Sequence, residues 1–307
     1  MPRVTRAAPS AAATLVEVRT VETIQLIQSI ATPTLDTVMT WITDLGSEEA
    51  YIALMVVTYL AIDARAGRTI GITLMLSFML NQYAKGWFDT PRPFEIDPDI
   101  VRTERAAAGA LGPGFPSGHA QSSLTFWGLA ALLARRRWFT AVALAIIVLV
   151  AFSRMYLGVH VPLDIVGGLA LGALMVALAI VAVRAELTPP AWLLLVVGVA
   201  GPFALHLLAP TAESDLLMGA LAALVVGPML VPHRTDGPLW GRVAVAAIGL
   251  LLAFTVLIAS SQLLPEEVKR DAVGGFLRYF VLGASVTVVA PFIGAAFGLV
   301  PSRRRPA

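Results

Sequence analysis

Residues 137–184 read RWFTAVALAIIVLVAFSRMYLGVHVPLDIVGGLALGALMVALAIVAVR, and this stretch decides the fold. It contains two apolar runs, residues 138–158 and 161–184, each close to the roughly 20 residues that a helix needs to cross a bilayer. Between the terminal arginines, the only charged residues are Arg154 and Asp164, near the junction of the two runs. The stretch therefore predicts two neighbouring membrane-spanning helices joined by a short polar connection.

The composition extends this prediction to the whole chain. Of 307 residues, 57% are hydrophobic and 14% charged, and the mean hydropathy is +0.79. Such values exclude a disordered chain, and the absence of cysteine excludes a disulfide-stabilised one. A net charge of +2 gives no electrostatic basis for a nucleic-acid partner. We therefore predict an all-α, polytopic helix bundle in a lipid bilayer. As a separate expectation, we take that bilayer to be a bacterial or archaeal plasma membrane.

Apolar runs of spanning or nearly spanning length recur along the chain. They predict nine helices, at approximately residues 50–64, 68–87, 118–134, 138–158, 161–184, 189–208, 215–232, 242–264 and 275–300. Eleven arginines lie in alternate connections or at the C-terminus, and the positive-inside rule makes their side cytoplasmic. These are Arg65, Arg68, Arg135, Arg136, Arg137, Arg184, Arg234, Arg242, Arg303, Arg304 and Arg305. The long segment 88–117 is then expected to face the extracytoplasmic side.

The same pattern divides the chain into four predicted regions. They are a flexible tail (1–20), a core (21–187), an extension of four further spanning helices (188–300) and a basic cytoplasmic tail (301–307). The core ends where Thr188, Pro189 and Pro190 break the helical pattern, and no polar intramembrane cluster follows them. Residues 21–45 mix apolar positions with acidic ones around Pro33, which favours helices lying at the membrane interface over a span.

Three clusters of polar residues lie at the same end of the second to fifth spans. In chain order they are Lys85 with Arg92 and Pro93, then Pro116, Ser117, Gly118 and His119, and last Ser153, Arg154, His160 and Asp164. If these helices pack as neighbours, the three clusters meet in one extracytoplasmic pocket. That the three clusters lie on the same side of the membrane and at the same depth is the main indication of function in the sequence.

The three cations of these clusters indicate a phosphate ligand. Lys85, Arg92 and Arg154 lie beside low-dielectric helices, where uncompensated positive charges are costly. Guanidinium groups match phosphate oxygens bidentately, and lysine serves as a point charge. Ser117 and Gly118 open a predicted helix whose free N–H groups favour an anion. We expect all five residues to bind phosphate, although Ser117 taken singly is an ordinary helix cap.

Two histidines in the same pocket indicate a reaction. A neutral imidazole can attack phosphorus, and a protonated one can donate to the departing alkoxide. We assign His160 as the nucleophile and His119 as the acid that later activates water. Asp164, four residues after His160, is expected to orient the imidazole as the third group of a triad does. With no cysteine and only four histidines, the usual zinc and iron–sulfur sites are excluded, and a metal would have to be a hard cation.

Other polar and small residues leave alternatives open. Asn81 and Gln82 either line the pocket or bond across helices. Gly168 and Gly172 form a GxxxG pattern, which predicts close helix packing. His206 and His233 are interpreted as structural residues outside the pocket.

The three clusters together, K-x6-RP, PSGH and SR-x5-H-x3-D, resemble the signatures of the type 2 phosphatidic acid phosphatase superfamily. All eleven signature positions are present, and the resemblance covers roughly residues 42–183. It implies phosphate binding by the five residues named above, a His160 nucleophile assisted by Asp164, His119 as general acid, and no metal or cofactor. A family count of six spans would make residues 21–45 the first helix.

The expected activity is the hydrolysis of a lipid phosphate or isoprenyl diphosphate through a phosphohistidine. Two alternatives remain open at this point. One is a phosphotransferase that passes the same phosphoryl group to a lipid or glycan. The other is a non-enzymatic lipid-phosphate binder or transporter, in which the C-terminal spans form a translocation or scaffold unit.

Overall fold

A computed structural model describes residues 21–110, 112–186, 189–208, 211 and 214–301. Throughout these residues the secondary structure is helical, with no strand, as the composition predicts. The flexible tail predicted at residues 1–20 lies outside the described residues, as do residues 302–307 of the basic tail. The predicted boundary at residue 188 also falls on residues that the structure does not describe, so it stays a prediction.

The bundle is built from long helices, several of them interrupted by a π-helical turn. They are α1 (Pro33–Asp44), α2 (Glu48–Val57, continued by the π turn Thr58–Ile62), α3 (Ala64–Phe88), α4 (Gly118–Ser123, the π turn Leu124–Gly128 and Leu129–Ala134), α5 (Arg137–Tyr156), α6 (Pro162–Arg184), α7 (Ala191–Leu195, the π turn Val196–Ala200 and Gly201–Leu208), α8 (Ser214–Leu230), α9 (Leu239–Leu263) and α10 (Ala272–Ala284, the π turn Ser285–Val289 and Ala290–Ala296). Shorter helical segments are Gln28–Ile30, Pro93–Ile96, Pro98–Ile100, Glu104–Ala108 and Glu266–Arg270.

Each of the nine predicted spans corresponds to a helix from α2 to α10. Within the described part of the chain, four helices are long and apolar enough to cross a membrane by themselves: Arg137–Tyr156, Pro162–Arg184, Leu239–Leu263 and Ala272–Ala296. The others are shorter, broken or more polar. For example, α3 has 25 residues but contains two arginines and a lysine, which lower its hydropathy.

Helix caps determine where the polar clusters lie. Asp63 accepts hydrogen bonds from the N–H groups of Arg65 and Ala66 and so begins α3. Ser117 caps α4 by accepting from Ala120 N–H at 3.4 Å. Pro162 occupies the first turn of α6, where its missing N–H costs nothing. We call the end where α3 finishes and α4 and α6 begin the site end, and the opposite end the arginine end.

Helices α4 and α6 are in close contact through two glycines of α6. A Cβ on Gly168 would lie 2.4 Å from the carbonyl oxygen of Ser117, and one on Gly172 would lie 2.7 Å from that of Gln121. The GxxxG prediction of close helix packing is therefore confirmed. This packing brings the start of α4 next to the start of α6.

Helix α1 contacts the site ends of other helices. Its 12 residues are too few to span a bilayer alone, and its axis is bent by 50° from that of residues 49–62. Asp36 accepts from Arg102 at 2.9 Å and from the Tyr156 hydroxyl at 2.7 Å. With residues 49–62, α1 forms a bent pair that is either a broken span or a re-entrant loop, so its interfacial position stays a prediction.

The C-terminal helices pack directly against the core. Helix α8 contacts both α10 and α3, and α9 contacts α2 and its π-helical continuation. A buried apolar cluster that includes Leu60, Val245 and Ala290 joins the two regions. The predicted extension therefore shares its hydrophobic core with the predicted phosphatase core.

Candidate active site

His160 and Asp164 lie one helical turn apart at the start of α6, and both are buried. The Nδ1 atom of His160 is 3.1 Å from Oδ2 of Asp164. The same oxygen accepts a hydrogen bond from Val161 N–H at 3.1 Å. Because an ionised carboxylate can only accept, the contact places the imidazole proton on Nδ1. The second ring nitrogen, Nε2, then keeps its lone pair.

Arg92 contacts this second nitrogen. Its Nη1 lies 3.1 Å from His160 Nε2 and donates to the Val159 carbonyl at 3.1 Å, while Nε donates to the Gly112 carbonyl at 2.8 Å. A guanidinium only donates, so Nε2 is the acceptor, which agrees with the tautomer set by Asp164. Burial lowers the pKa of Arg92 to about 10, which leaves it charged at neutral pH.

His160 remains neutral for a clear physical reason. Burial lowers the pKa of its imidazole well below the usual value, and the charges of Arg92, Arg154 and Lys85 lower it further. A neutral imidazole whose Nε2 carries a lone pair is the form that can act as a nucleophile.

Arg154 is buried near the end of α5. Its Nη1 donates to the Thr43 hydroxyl at 2.8 Å. Its buried Nε has no hydrogen-bond partner among the described residues. A buried donor left unpaired costs roughly 1–3 kcal/mol, a cost that a bound anion would remove. Lys85, at the end of α3, donates from Nζ to the Pro113 carbonyl at 2.9 Å.

Ser117 and Gly118 lie at the N-terminus of α4, as predicted, but Ser117 is already engaged. Its Oγ caps the helix and its N–H donates to the Asp164 carbonyl at 2.9 Å. Its hydroxyl proton is still a potential donor to an anion. Gly118 packs closely against α3, because a Cβ there would come within 3.3 Å of Asn81 Oδ1.

His119, on the first turn of α4, completes the cluster. Both imidazoles experience the charges of Lys85, Arg92 and Arg154, and His119 in turn acts on His160. The structure therefore brings together at the site end all eight residues predicted from the sequence.

The sequence did not reveal the contribution of the α1–α2 connection. A Cβ on Gly46 would lie 3.0 Å from Cδ2 of His119 and 2.9 Å from Cγ1 of Val150, so this glycine lets the connection pack on the imidazole. Thr43, just before it, orients Arg154. No spacing or motif links either residue to the clusters, because their positions depend on the bend between α1 and α2.

A buried amide network supports the floor of the cluster. Asn81 donates to Gln121 Oε1 at 2.8 Å and to the Pro116 carbonyl at 3.3 Å. Gln121 donates in turn to the carbonyl and hydroxyl oxygens of Ser77, at 2.7 and 2.9 Å. Of the two alternatives for Asn81, cross-helix bonding is therefore observed. Gln121 is a further residue that the sequence did not single out.

The site contains acidic and imidazole groups, but they do not gather as metal ligands do. Within the described ranges, no group of three or more histidine, aspartate or glutamate side chains is placed to hold a metal ion. What the cluster does gather is three cations and two imidazoles, a composition that suits a phosphate ester.

Comparison with known proteins agrees with this chemistry. Residues 66–187 match the family model described as "PAP2 superfamily", and residues 216–304 match "PAP2 superfamily phosphatase, transmembrane extension". The two matched ranges fall within the predicted core and the predicted extension. The second match also gives residues 216–304 a family description, which the sequence signatures alone did not provide.

Three characterised relatives illustrate the family. The chain is 32% identical to an undecaprenyl-diphosphatase of Sulfolobus acidocaldarius, over 50% of this chain and 73% of the relative. It is 30% identical to phosphatidylglycerophosphatase B of Bacillus subtilis, over 48% and 74%. It is 32% identical to mouse sphingosine-1-phosphate phosphatase 2, over 49% of this chain but only 41% of the relative.

Two solved structures are similar to parts of the chain. One is the crystal structure of Aquifex aeolicus LpxE, with 23% identity and a TM-score of 0.45, covering 53% of this chain and 94% of that one. The other is a transmembrane PAP2-type phosphatidylglycerolphosphate phosphatase from Bacillus subtilis, with 24% identity and a TM-score of 0.48, covering 58% and 89%.

The helical membrane fold and the relatives together define a membrane-embedded lipid phosphatase. The chain belongs to the PAP2 superfamily, the type 2 phosphatidic acid phosphatases that its sequence signatures resemble.

The contact between Gly46 and His119 can be tested directly. We expect Gly46→Ala to lower the rate of phosphate release about 10-fold, because the added methyl displaces the imidazole and small misplacements of reacting groups are costly. The matched control is Gly109→Ala, where the nearest atom to the new methyl is an ordinary contact at 3.5 Å. Phosphate release and the thermal unfolding midpoint are measured in detergent for both variants. Equal rates of phosphate release in Gly46→Ala and Gly109→Ala would show that the contact between Gly46 and His119 does not affect activity.

Proposed function

We propose that the protein hydrolyses a lipid phosphate or isoprenyl diphosphate on the extracytoplasmic side of the membrane through a phosphohistidine at His160. The observation that supports this most is the state of the His160 ring. Its Nδ1 is bound to Asp164 at 3.1 Å, and its Nε2 faces the positive cluster with a lone pair. This is an imidazole prepared to attack an anion held by Lys85, Arg92 and Arg154.

In the first step, His160 Nε2 attacks phosphorus and the bond between phosphorus and the leaving oxygen breaks. The bound phosphate offsets the charges of Lys85, Arg92 and Arg154 and so favours the protonated form of His119. His119 donates that proton to the leaving oxygen, so the lipid leaves as an alcohol, or as a monophosphate when the substrate is a diphosphate. The ring of His160 becomes a phosphorylated imidazolium, which the Asp164 carboxylate stabilises through Nδ1–H. Lys85, Arg92 and Arg154 neutralise the charge on the transferring phosphoryl oxygens.

In the second step, His119 is neutral and removes a proton from water. The resulting hydroxide attacks phosphorus, the bond to Nε2 breaks, and inorganic phosphate is released. His160 regains its lone pair and His119 its proton, so the cycle closes without any other reactant.

A lipid substrate is supported by the position of the cluster and by the relatives. The cluster lies at helix ends, so a phosphate can enter it while the apolar part of the substrate stays beside the helices. The relatives named above are an undecaprenyl-diphosphatase, a phosphatidylglycerophosphatase and a sphingosine-1-phosphate phosphatase. The arginines of the opposite end support the extracytoplasmic orientation through the positive-inside rule.

The nucleophile is tested with His160→Asn. We expect phosphate release from phosphatidate or farnesyl diphosphate, measured in EDTA, to disappear, because asparagine cannot form the phosphoenzyme. The wild type, quenched in alkali after mixing with labelled substrate, should retain an acid-labile, alkali-stable label that the variant lacks. His233→Gln is the matched control, because His233 lies at the arginine end, with Nε2 3.0 Å from the Leu60 carbonyl. Full activity in His160→Asn would disprove the assignment.

The role of Asp164 is tested with Asp164→Asn. The amide can donate to Nδ1 and stabilise the wrong tautomer, so we expect kcat to fall by about 10²–10⁴ with little change in KM. The control is Asp236→Asn, which removes an exposed carboxylate paired with Arg234 at the arginine end. A rise in KM at constant kcat would instead indicate that Asp164 acts in substrate binding.

The orientation is tested with single cysteines, since the natural chain contains none. Asp99→Cys and Asp236→Cys place a thiol at two exposed aspartates, one in the long segment at the site end and one at the arginine end. A membrane-impermeant maleimide should label the first in intact cells and the second only after permeabilisation. The reverse pattern would place the site in the cytoplasm.

A further inference from the structure

A cavity lies between the core and the C-terminal helices. Its volume is about 80 Å³. One wall comes from α2 and α3, and includes Tyr51, Met55 and Phe78. The other comes from α8 and α10, and includes Ala220 and Val286. The cavity therefore lies on the seam between the two regions that match separate family models.

The walls of this cavity are almost wholly apolar. The one threonine in the lining, Thr287, turns its hydroxyl to the backbone, donating to the carbonyls of Gly283 at 2.9 Å and Ala223 at 3.1 Å. No charged side chain is among the lining residues that the structure describes. Such a surface can bind hydrocarbon and cannot hold a phosphate or an ion.

One end of the cavity lies on the side of the catalytic cluster. Phe78 lies seven residues before Lys85 on α3, a distance of about 10 Å along the helix axis. Tyr51, on α2, faces the hydroxyls of Ser122 and Ser123 on the helix that bears His119. The Tyr51 and Phe78 rings, with centroids 6.5 Å apart, form the wall at this end.

The cavity extends from this end toward the arginine end. Tyr51 and Tyr59 both line it and are eight residues apart on α2 and its continuation, which corresponds to about 12 Å of depth. Its long direction thus follows the helices, as a lipid chain in a bilayer does. A lipid phosphate could therefore place its phosphate at Lys85 and its hydrocarbon chain in the cavity beyond Phe78.

We infer that this cavity binds a hydrocarbon chain of the lipid substrate, so that the C-terminal helices form half of the chain-binding site. The inference rests on the proposed function, because it takes the phosphate of the same molecule to lie at His160. It gives the extension a role in substrate selection, since α8 and α10 set the width of the cavity.

The test narrows the cavity with Ala220→Phe. Substrates are dipalmitoyl and dibutyryl phosphatidate or, if the wild type prefers isoprenyl substrates, farnesyl and isopentenyl diphosphate. Each buried methylene contributes about 4-fold in binding, so displacing two of them lowers kcat/KM for the long chain about 16-fold, through KM. We expect kcat/KM for the short-chain substrate, which does not fill the cavity, to be unchanged.

Two further variants make the result decisive. Ala247→Phe is the matched control, because Ala247 is exposed on α9 and outside the cavity, and it should leave both substrates unaffected. Leu224→Ala widens the cavity and should shift preference toward longer or bulkier chains. An equal effect of Ala220→Phe on long and short chains, combined with an unchanged preference in Leu224→Ala, would overturn the inference. Failure of the wild type to release phosphate from any of these substrates would instead overturn the proposed function.

Discussion

The carboxylate of Asp164 is the constraint on which the candidate site depends. One oxygen accepts from His160 Nδ1 and from Val161 N–H, so the imidazole is fixed to the first turn of α6. The backbone carbonyl of the same residue accepts from Ser117 N–H, which fixes the first turn of α4 to α6 as well. Because α4 bears His119, a single residue relates the positions of both histidines. The glycine contacts between α4 and α6 hold the two helices close enough for this to occur.

Burying these polar and charged side chains beside apolar helices costs free energy, and hydrogen bonds from the surrounding residues offset that cost. Buried polar groups in apolar surroundings are tolerated when their hydrogen bonds are satisfied. Asn81, Gln121 and Ser77 bond to one another below the cluster, and Arg92 satisfies its donors on backbone carbonyls and on His160. Arg154 is the exception, with a buried Nε that has no partner in the described structure. Among these groups, the Nε of Arg154 is thus the donor that a bound anion would satisfy.

Much of the fold and most of the site could be predicted from the sequence. Apolar runs locate every helix from α2 to α10, and the three polar clusters converge because each lies at the same end of its helix. The contributions of Gly46 and Thr43 could not be predicted. They depend on a 50° bend between two helices and on contacts with residues far away in the sequence, His119 for Gly46 and Arg154 for Thr43. The cavity between α2, α3, α8 and α10 could not be predicted either, since apolar residues that line a cavity and those that fill a core look alike in a sequence.

The contact between Arg92 and the Nε2 lone pair of His160 has a consequence for selectivity. The guanidinium lies 3.1 Å from that nitrogen, so its lone pair is covered. Anionic oxygens are better partners for a guanidinium than an imidazole nitrogen is, and a phosphate bound as we propose would draw Arg92 off the ring. Neutral esters and alkylating agents offer no such exchange, so under the proposed function Arg92 would also protect His160 from reaction with uncharged electrophiles.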